Sequence, residues 1–254
     1  MDAYGQFASV YDQLMEEMPY AEWLRFAEHS WKRYGRPAKV VDLGCGTGSI
    51  AIPLAQAGLQ VYGIDLSADM LTVASSKWEE ASRQTASSHA GTVTWLQQDM
   101  RDWELAEPVD AVISFCDCIN YLTEEADVEA AFSSVHAGLR SGGLFLFDVH
   151  SPSLLVRYAE EQPFVLDEED VAYIWTCELD EQRCEIEHHL TIFARERDER
   201  FHRFEEMHTQ RAYDPDWIEA ALRRAGFSSI DRFADFKLQP AREHSDRLFY
   251  AAVK

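Results

Sequence analysis

The chain has 254 residues, 46% of them hydrophobic, enough for one generous domain or one domain with a substantial insertion. Its 23 Lys and Arg against 45 Asp and Glu give a formal charge of −22, which disfavours nucleic acid, whose binding draws on basic side chains replacing phosphate counterions. No apolar run reaches the ~18 residues of a membrane span, and the start Met1-Asp2-Ala3-Tyr4-Gly5-Gln6 lacks a signal-peptide pattern, so a cytoplasmic protein is expected.

Residues 1–36 read as a helical, aromatic cover. Tyr4, Phe7, Tyr11, Leu14, Met15, Tyr20, Trp23, Phe26, Ala27 and Trp31 recur at spacings of three and four, which is more often core packing than cofactor contact. Gly35-Arg36-Pro37 stops that segment. From residue 37 strands and helices alternate, as in a parallel α/β sheet. Val40-Val41-Asp42-Leu43-Gly44-Cys45-Gly46-Thr47-Gly48 is a buried strand entering a glycine turn. A helix over roughly Ser49 to Ala57 should follow and present unpaired N–H groups above the turn.

The glycine spacing narrows the ligand. G-x-G-x-G departs from the dinucleotide fingerprint G-x-G-x-x-G, and no Lys-Ser or Lys-Thr follows as in a triphosphate loop. A pyrophosphate tolerates a nearby carboxylate poorly, whereas a cationic amino-acid group suits Asp42. That favours S-adenosylmethionine (SAM).

The second strand, Gln60 to Asp65, ends in an acid, and Ser67 opens a helix to about Ser82. The third, Val93 to Gln98, runs into Asp99. The fourth, Asp110 to Phe115, leads into Cys116-Asp117-Cys118-Ile119-Asn120-Tyr121-Leu122. A helix over Glu124 to Leu139 precedes a fifth strand, Leu144 to Asp148. Residues 152–211 alternate polar and apolar, the pattern of an inserted antiparallel β segment. In it the acids from Glu160 to Asp170 read as a solvated loop. Residues 212–254 return to the core sheet with a helix, Trp217 to Ala225, and strands near Ser229 to Phe236 and Leu248 to Val253. In this reading residues 37–151 are the cofactor-binding core.

In open α/β sheets ligands sit beyond the carboxyl ends of the strands. Asp65 there can accept from both ribose hydroxyls, and Asp99, one strand further out, from an adenine amino group. A solvated turn acid is the plainer reading of either alone; the two in register with the glycine turn point to one nucleoside.

These pieces resemble the class I SAM-dependent methyltransferases: Val41 to Gly48, Gly63-Ile64-Asp65-Leu66-Ser67, Gln98-Asp99-Met100 and Leu139-Arg140-Ser141-Gly142-Gly143. The resemblance implies a Rossmann-like, doubly wound, mostly parallel seven-stranded sheet whose last strand is antiparallel. It implies that Gly44, Cys45 and Gly46 face the methionine portion, Asp65 the ribose, and Leu66, Asp99 and Met100 the adenine. Phe115 and Cys116 would line the methionine side. The N-terminal segment and the insertion look similar to amino-sugar N,N-dimethyltransferases and uncharacterised bacterial relatives. There Tyr11 would cover the methionine end, Asn120-Tyr121-Leu122 would flank the acceptor, and the insertion would contribute to a homodimer.

The implied activity is methyl transfer from SAM to nitrogen or oxygen of a small molecule. Asp117, Tyr121 and His150 are the candidate catalytic groups, each equally readable as a loop-stabilising hydrogen-bond partner. Cys116 and Cys118 lack a Pro-Cys context and are not expected to be nucleophiles. The set Cys177, Cys184, His188, His189, His202 and His208 matches no zinc spacing; neighbours in a strand face opposite ways, and no metal is expected. Other readings are methylation of a protein or ribosomal RNA, a non-catalytic SAM sensor, and an NAD-dependent oxidoreductase, which the glycine spacing and Asp99 disfavour.

Overall fold

A computed structural model describes residues 11–84, 91–196, 199–242 and 245–254; the expectations at Tyr4 and Phe7 lie outside them. In chain order the elements are α1 (Tyr20–Tyr34), β1 (Lys39–Leu43), α2 (Ala51–Gln56), β2 (Gln60–Asp65), α3 (Ala68–Gln84), β3 (Thr92–Gln97), β4 (Val109–Ser114), α4 (Glu125–Gly138) and β5 (Leu139–His150). There follow α5 (Pro152–Glu161), β6 (Phe164–Asp167), β7 (Val171–Asp180), β8 (Glu185–Arg195), β9 (Phe201–Arg211), α6 (Pro215–Ala225), β10 (Ser229–Ala234), β11 (Lys237–Pro240) and β12 (Arg247–Val253).

The main sheet has the order β11-β10-β12-β5-β4-β1-β2-β3. The five strands from β5 to β3 are parallel, and β12 runs antiparallel to both β5 and β10. This is the expected mostly parallel, doubly wound sheet, extended by the short antiparallel edge strand β11. Strand order reverses between β1 and β4, so a crevice opens beyond their carboxyl ends.

Alternating side chains serve two cores. Val41, Leu43, Val112, Phe145 and Phe147 pack with Phe132 of α4 and Leu222 of α6. Val40, Val61, Ile113, Leu146 and Phe249 pack on the other face with Trp23 and Phe26 of α1 and Leu54 of α2. Trp23 and Phe26 are fully buried, and burial of each contributes about 1.5–3 kcal/mol. The aromatic stripe of α1 is therefore core. Ahead of it Tyr11 lies near Cys116 and Tyr121 at the crevice. The cap residue Gly35 ends α1 at a positive φ, and Asp214 caps α6 by accepting from the backbone N–H groups of Asp216 and Trp217.

Residues 164–211 hold a second, antiparallel sheet of order β6-β7-β8-β9. Two features here differ from the sequence expectation. Pro152–Glu161 is a helix, capped by Ser151, whose side chain accepts from Leu154 N; the Ser-Pro signal preceded an amphipathic stretch too short to stand out beside the strand pattern. The acids between Glu160 and Asp170 are not one loop, because β6 lies among them and pairs with β7. The inner face of this sheet packs at one end on Tyr11, Leu14 and Met70 and at the other on Leu155 and Tyr158. It thereby roofs the crevice. Among the described residues no helix is long and apolar enough to cross a membrane.

Candidate active site

The turn after β1 hangs on β2. The N–H groups of Gly44 and Cys45 donate to Ile64 O at 2.8 and 3.0 Å, Gly48 N donates to Cys45 O at 2.9 Å, and Gly46 N donates to Asp65 Oδ2 at 2.8 Å. The N–H groups of Gly44, Cys45, Gly46 and Gly48 are thus used inside the turn, and the helix that follows begins only at Ala51. Gly44 has φ +78°, and a Cβ there would stand 2.7 Å from Cys118 Sγ. At Gly46, φ +51°, a Cβ would meet nothing within 4 Å. This is the open side of the turn, and its positive φ is one that glycine adopts without steric cost.

Two acids stand on the rim as expected. Asp65 Oδ1 accepts from Ser67 N at 2.9 Å and Oδ2 from Gly46 N, with the Leu66 N–H also directed at the carboxylate. Burial raises its pKa, and those backbone N–H groups oppose the rise. Beyond it Leu66 is 65% exposed, an apolar ledge beside a hydrogen-bond acceptor. Asp99 is gripped by Arg101, whose Nε and Nη2 donate to its two oxygens at 3.0 and 2.6 Å. The Arg101 hydrogen bonds hold its carboxyl below the usual range. Met100 reaches back beside the turn, its Cε 3.6 Å from where a Gly44 Cβ would lie.

Asp42 is 3% exposed, and its Oδ2 has no partner among the described residues. Burial, then the neighbouring Asp65 charge, push its pKa up to about 7. Cys45 is a buried thiol raised well above its ordinary pKa, first by burial, in keeping with a filler. Phe115 departs from expectation. Its ring is buried in the α1-side core with the Phe26 ring centroid at 6.3 Å, so it does not line the crevice with its side chain.

The exit of β4 is built differently. Cys116 and Asp117 both have positive φ, 60° and 54°, an uncommon conformation for residues other than glycine. Asp148 on β5 holds this turn: Oδ1 accepts from Cys116 N at 2.9 Å and Oδ2 from Asp117 N at 3.3 Å. Trp23 Nε1 donates to the same Oδ1 at 2.9 Å. Arg247 on β12 donates to Asp148 and lies 2.9 Å from Asp117 Oδ1. Its Nη2 is 2.7 Å from His150 Nε2, which also lies 3.3 Å from Asp117 Oδ1.

Burial alone would raise Asp117, but His150, Arg247 and Gln210 bring it down to about 2. Burial lowers His150 to about 4 against the pull of Asp117. At neutral pH His150 is uncharged, so Arg247 and Gln210 stabilise the Asp117 anion. Cys116 and Cys118 are raised well above 9, first by burial; as protonated thiols they are poor nucleophiles.

The second sheet closes over this exit. Gln210 Nε2 donates to Asp117 Oδ2 at 2.7 Å. Its Oε1 lies 3.3 Å from His188 Nε2, while His188 Nδ1 accepts from Trp175 Nε1 at 3.1 Å. Tyr121 is half exposed and meets the His208 ring edge-to-face at 6.0 Å. Asn120 joins the two parts, donating to Arg211 O at 2.9 Å and accepting from His150 N at 3.0 Å. Tyr11 is half-buried near Tyr20, Cys116 and Tyr121, its pKa raised first by desolvation. Beside it Asp12 accepts from Thr47 Oγ1 at 2.6 Å and from Lys77 Nζ at 2.7 Å, tying the N-terminal segment to the glycine turn.

Asp148, Arg247, Gln210 and Asp12 are absent from the sequence-derived site. Asp148 carried the same signal as Asp65, an acid ending an apolar strand. Arg247 opens the apolar Leu248–Val253 run, and Gln210 occupies an inward position of a period-two strand. His188 and His189 face opposite sides as expected. On the outer face Glu178, Glu187 and His189 bring ligand atoms within 4.8 Å of one another.

The turn, the acids and the roof together offer an acceptor-rich cradle for a nucleoside with a cationic tail. The family model described as "Methyltransferase domain" matches residues 40–143. A Geobacillus sp. (strain WCH70) protein provisionally named a methyltransferase is 38% identical over 253 residues, covering 99% of each chain. The structure of a SAM-dependent methyltransferase from Clostridium acetobutylicum superposes with TM-score 0.85 at 24% identity, covering 99% of each chain. The sugar N-methyltransferase KedS8 from Streptoalloteichus sp. gives TM-score 0.73 at 21% identity over 100% of this chain and 93% of its own. The chain belongs to the class I SAM-dependent methyltransferases, enzymes whose cofactor is S-adenosylmethionine.

Proposed function

We propose that this enzyme methylates a nitrogen of a small-molecule acceptor held at the exit of β4. The observation that carries the reading is the state of the groups there. Asp117 lies at about 2, His150 and His188 at about 4, and the thiols and Tyr11 are raised far above neutrality. A general base works best with a pKa near the operating pH. Among the described residues around Asp117 these groups are not tuned that way. An amine that arrives uncharged needs no base, whereas a hydroxyl would.

SAM supplies a methyl group on a positively charged sulfur. In the proposed arrangement Asp65 receives the ribose hydroxyls, while Leu66, Asp99 and Met100 receive the adenine. Asp42 and the turn from Gly44 to Gly46 hold the methionine portion, with Tyr11 and the Cys116 backbone at its end. The acceptor lone pair forms the new bond to carbon in line with the breaking carbon–sulfur bond, whose electrons stay on sulfur. One amine proton then leaves to water. Positive charge grows on the nitrogen as the bond forms, and the partly buried Asp117 anion stabilises it. Positioning supplies most of the rate, of order 10⁵ M or more in effective molarity.

The fold-level likeness to a sugar N-methyltransferase and the charge of −22 both favour a small molecule over nucleic acid. Transfer of labelled methyl from SAM across matched panels of amines and alcohols tests the reading. Amine methylation is expected; turnover of hydroxyl compounds alone, or of RNA, would overturn it.

A further inference from the structure

The inward residues of β9 form a row over the crevice. Gln210 bonds Asp117, His208 meets Tyr121, and Phe204 packs in the cluster containing Tyr11 and Met70. Between His208 and Phe204 stands Glu206. Alternate residues of a strand are ~6.8 Å apart on one face, so Glu206 stands between a residue that meets Tyr121 and one that packs with Tyr11 and Met70.

Glu206 is an anomaly as a structural residue. It is 8% exposed, and its Oε1 has no hydrogen-bond partner among the described residues. Its ladder partner on β8 is Leu190, and solvent-facing Glu205 shows where a merely solubilising acid belongs on this strand. A buried carboxylate oxygen left unpaired is destabilising and calls for a cause. Burial raises its pKa.

No charged group among the described residues answers Glu206, whose carboxyl is shifted by burial alone. Further along the same strand face Gln210 holds the Asp117 anion, and His188 and His208 are both lowered by burial and uncharged at neutral pH. The cation Arg247 at the β4 exit is shared between Asp117 and Asp148. Roof and floor therefore present carboxylates with no free positive charge among the described groups at the β4 exit. Such a pocket attracts cations and repels carboxylate or phosphate groups.

We propose that Glu206 is an acceptor-binding residue that selects a substrate carrying a second, positively charged nitrogen near the one that is methylated, as in an alkyl diamine. This rests on the methyltransferase reading of the site. The uncharged amine faces Asp117, and the ammonium donates to the open Glu206 oxygen. An acceptor with an anionic group at that distance is excluded by repulsion.

Calorimetry on the full-length protein saturated with S-adenosylhomocysteine tests this with three probes of equal length: 1,4-diaminobutane, butane-1,4-diol and succinate. The diamine should bind at least tenfold more tightly than the diol, and succinate more weakly than either. Glu206→Gln, which keeps the shape, should bring the diamine to the level of the diol while leaving S-adenosylhomocysteine affinity unchanged. Equal binding of diamine and diol to the unmodified protein, a measurement that needs no variant, would overturn the proposal. So would a Glu206→Gln protein that keeps the preference. Failure of S-adenosylhomocysteine itself to bind would overturn the methyltransferase reading, and the proposal with it.

Discussion

Gln210 of the second sheet donates to Asp117 of the main sheet's switch-point turn at 2.7 Å, joining roof and floor of the site through one hydrogen bond. The same amide receives His188 on its other side, so Trp175, His188, Gln210 and Asp117 form a chain with one direction of donation. Networks of this kind are lost as a unit when one member cannot pair.

Gln210→Leu should destabilise the protein by about 1–3 kcal/mol, because it leaves a buried anion short of a donor. It should also raise the acceptor KM while SAM affinity stays within about twofold, since Asp65 and Asp99 lie outside this network. Urea denaturation and calorimetry read the two effects separately. A parallel loss of SAM affinity would mean that the roof bears on the cofactor end instead.

Arg247→Met should cost about 3–5 kcal/mol, the penalty for removing one member of a buried ion group. Two buried carboxylates, Asp117 and Asp148, would then face each other without a cation. Their proton uptake would make the variant comparatively less unstable at pH 5 than at pH 8. A variant equally stable to the parent across that range would contradict the assigned charges.

Asp42 should give SAM binding a pH dependence. Its folded pKa of about 7 exceeds the ordinary 3.8, so the ligand-free protein holds a proton there between those values. A cationic methionine group favours the anion, and binding should release the proton. SAM affinity should therefore rise as pH increases through about 7 and then level. Stability of the ligand-free protein has the opposite slope from this group, falling as pH rises from 3.8 to about 7, because the folded state binds more protons there. Asp42→Asn should flatten both contributions. Calorimetry in buffers of different ionisation enthalpy counts the released proton, and identical heats in all buffers would refute the assignment.

His188 contributes an acid-labile increment. Burial lowers it from 6.5 to about 4, so the unfolded chain binds more protons in that window. Its share of stability is complete above about 6.5 and is lost as pH falls towards 4. His188→Gln should lose less stability than the parent between pH 7 and pH 5, measured by urea midpoints; equal losses would show that His188 is not the group responsible.

The parts of the site that could be read from the sequence are those encoded locally. Asp65 ends β2, Asp99 lies two residues past the end of β3, and Gly44 and Gly46 sit in one turn, so a strand pattern followed by a turn places them without tertiary knowledge. Gln210 and Asp117 are 93 residues apart and Arg247 and Asp148 are 99 apart; only the antiparallel insertion of β12 and the folding back of β9 bring them together. Phe115 differs for a related reason: it lies one residue past the end of β4, where the strand pattern no longer fixes its direction, and packing against Phe26 of α1 turns its ring into the core.

The central claim, a SAM-dependent enzyme whose ribose contact is Asp65, is met most directly by a calorimetric titration of SAM into the parent protein and Asp65→Ala. Saturable binding to the parent is predicted, weakened by about 1–3 kcal/mol in the variant, as for loss of a charge-assisted hydrogen bond. No heat with the parent at millimolar SAM, or equal affinities for the two proteins, would contradict it.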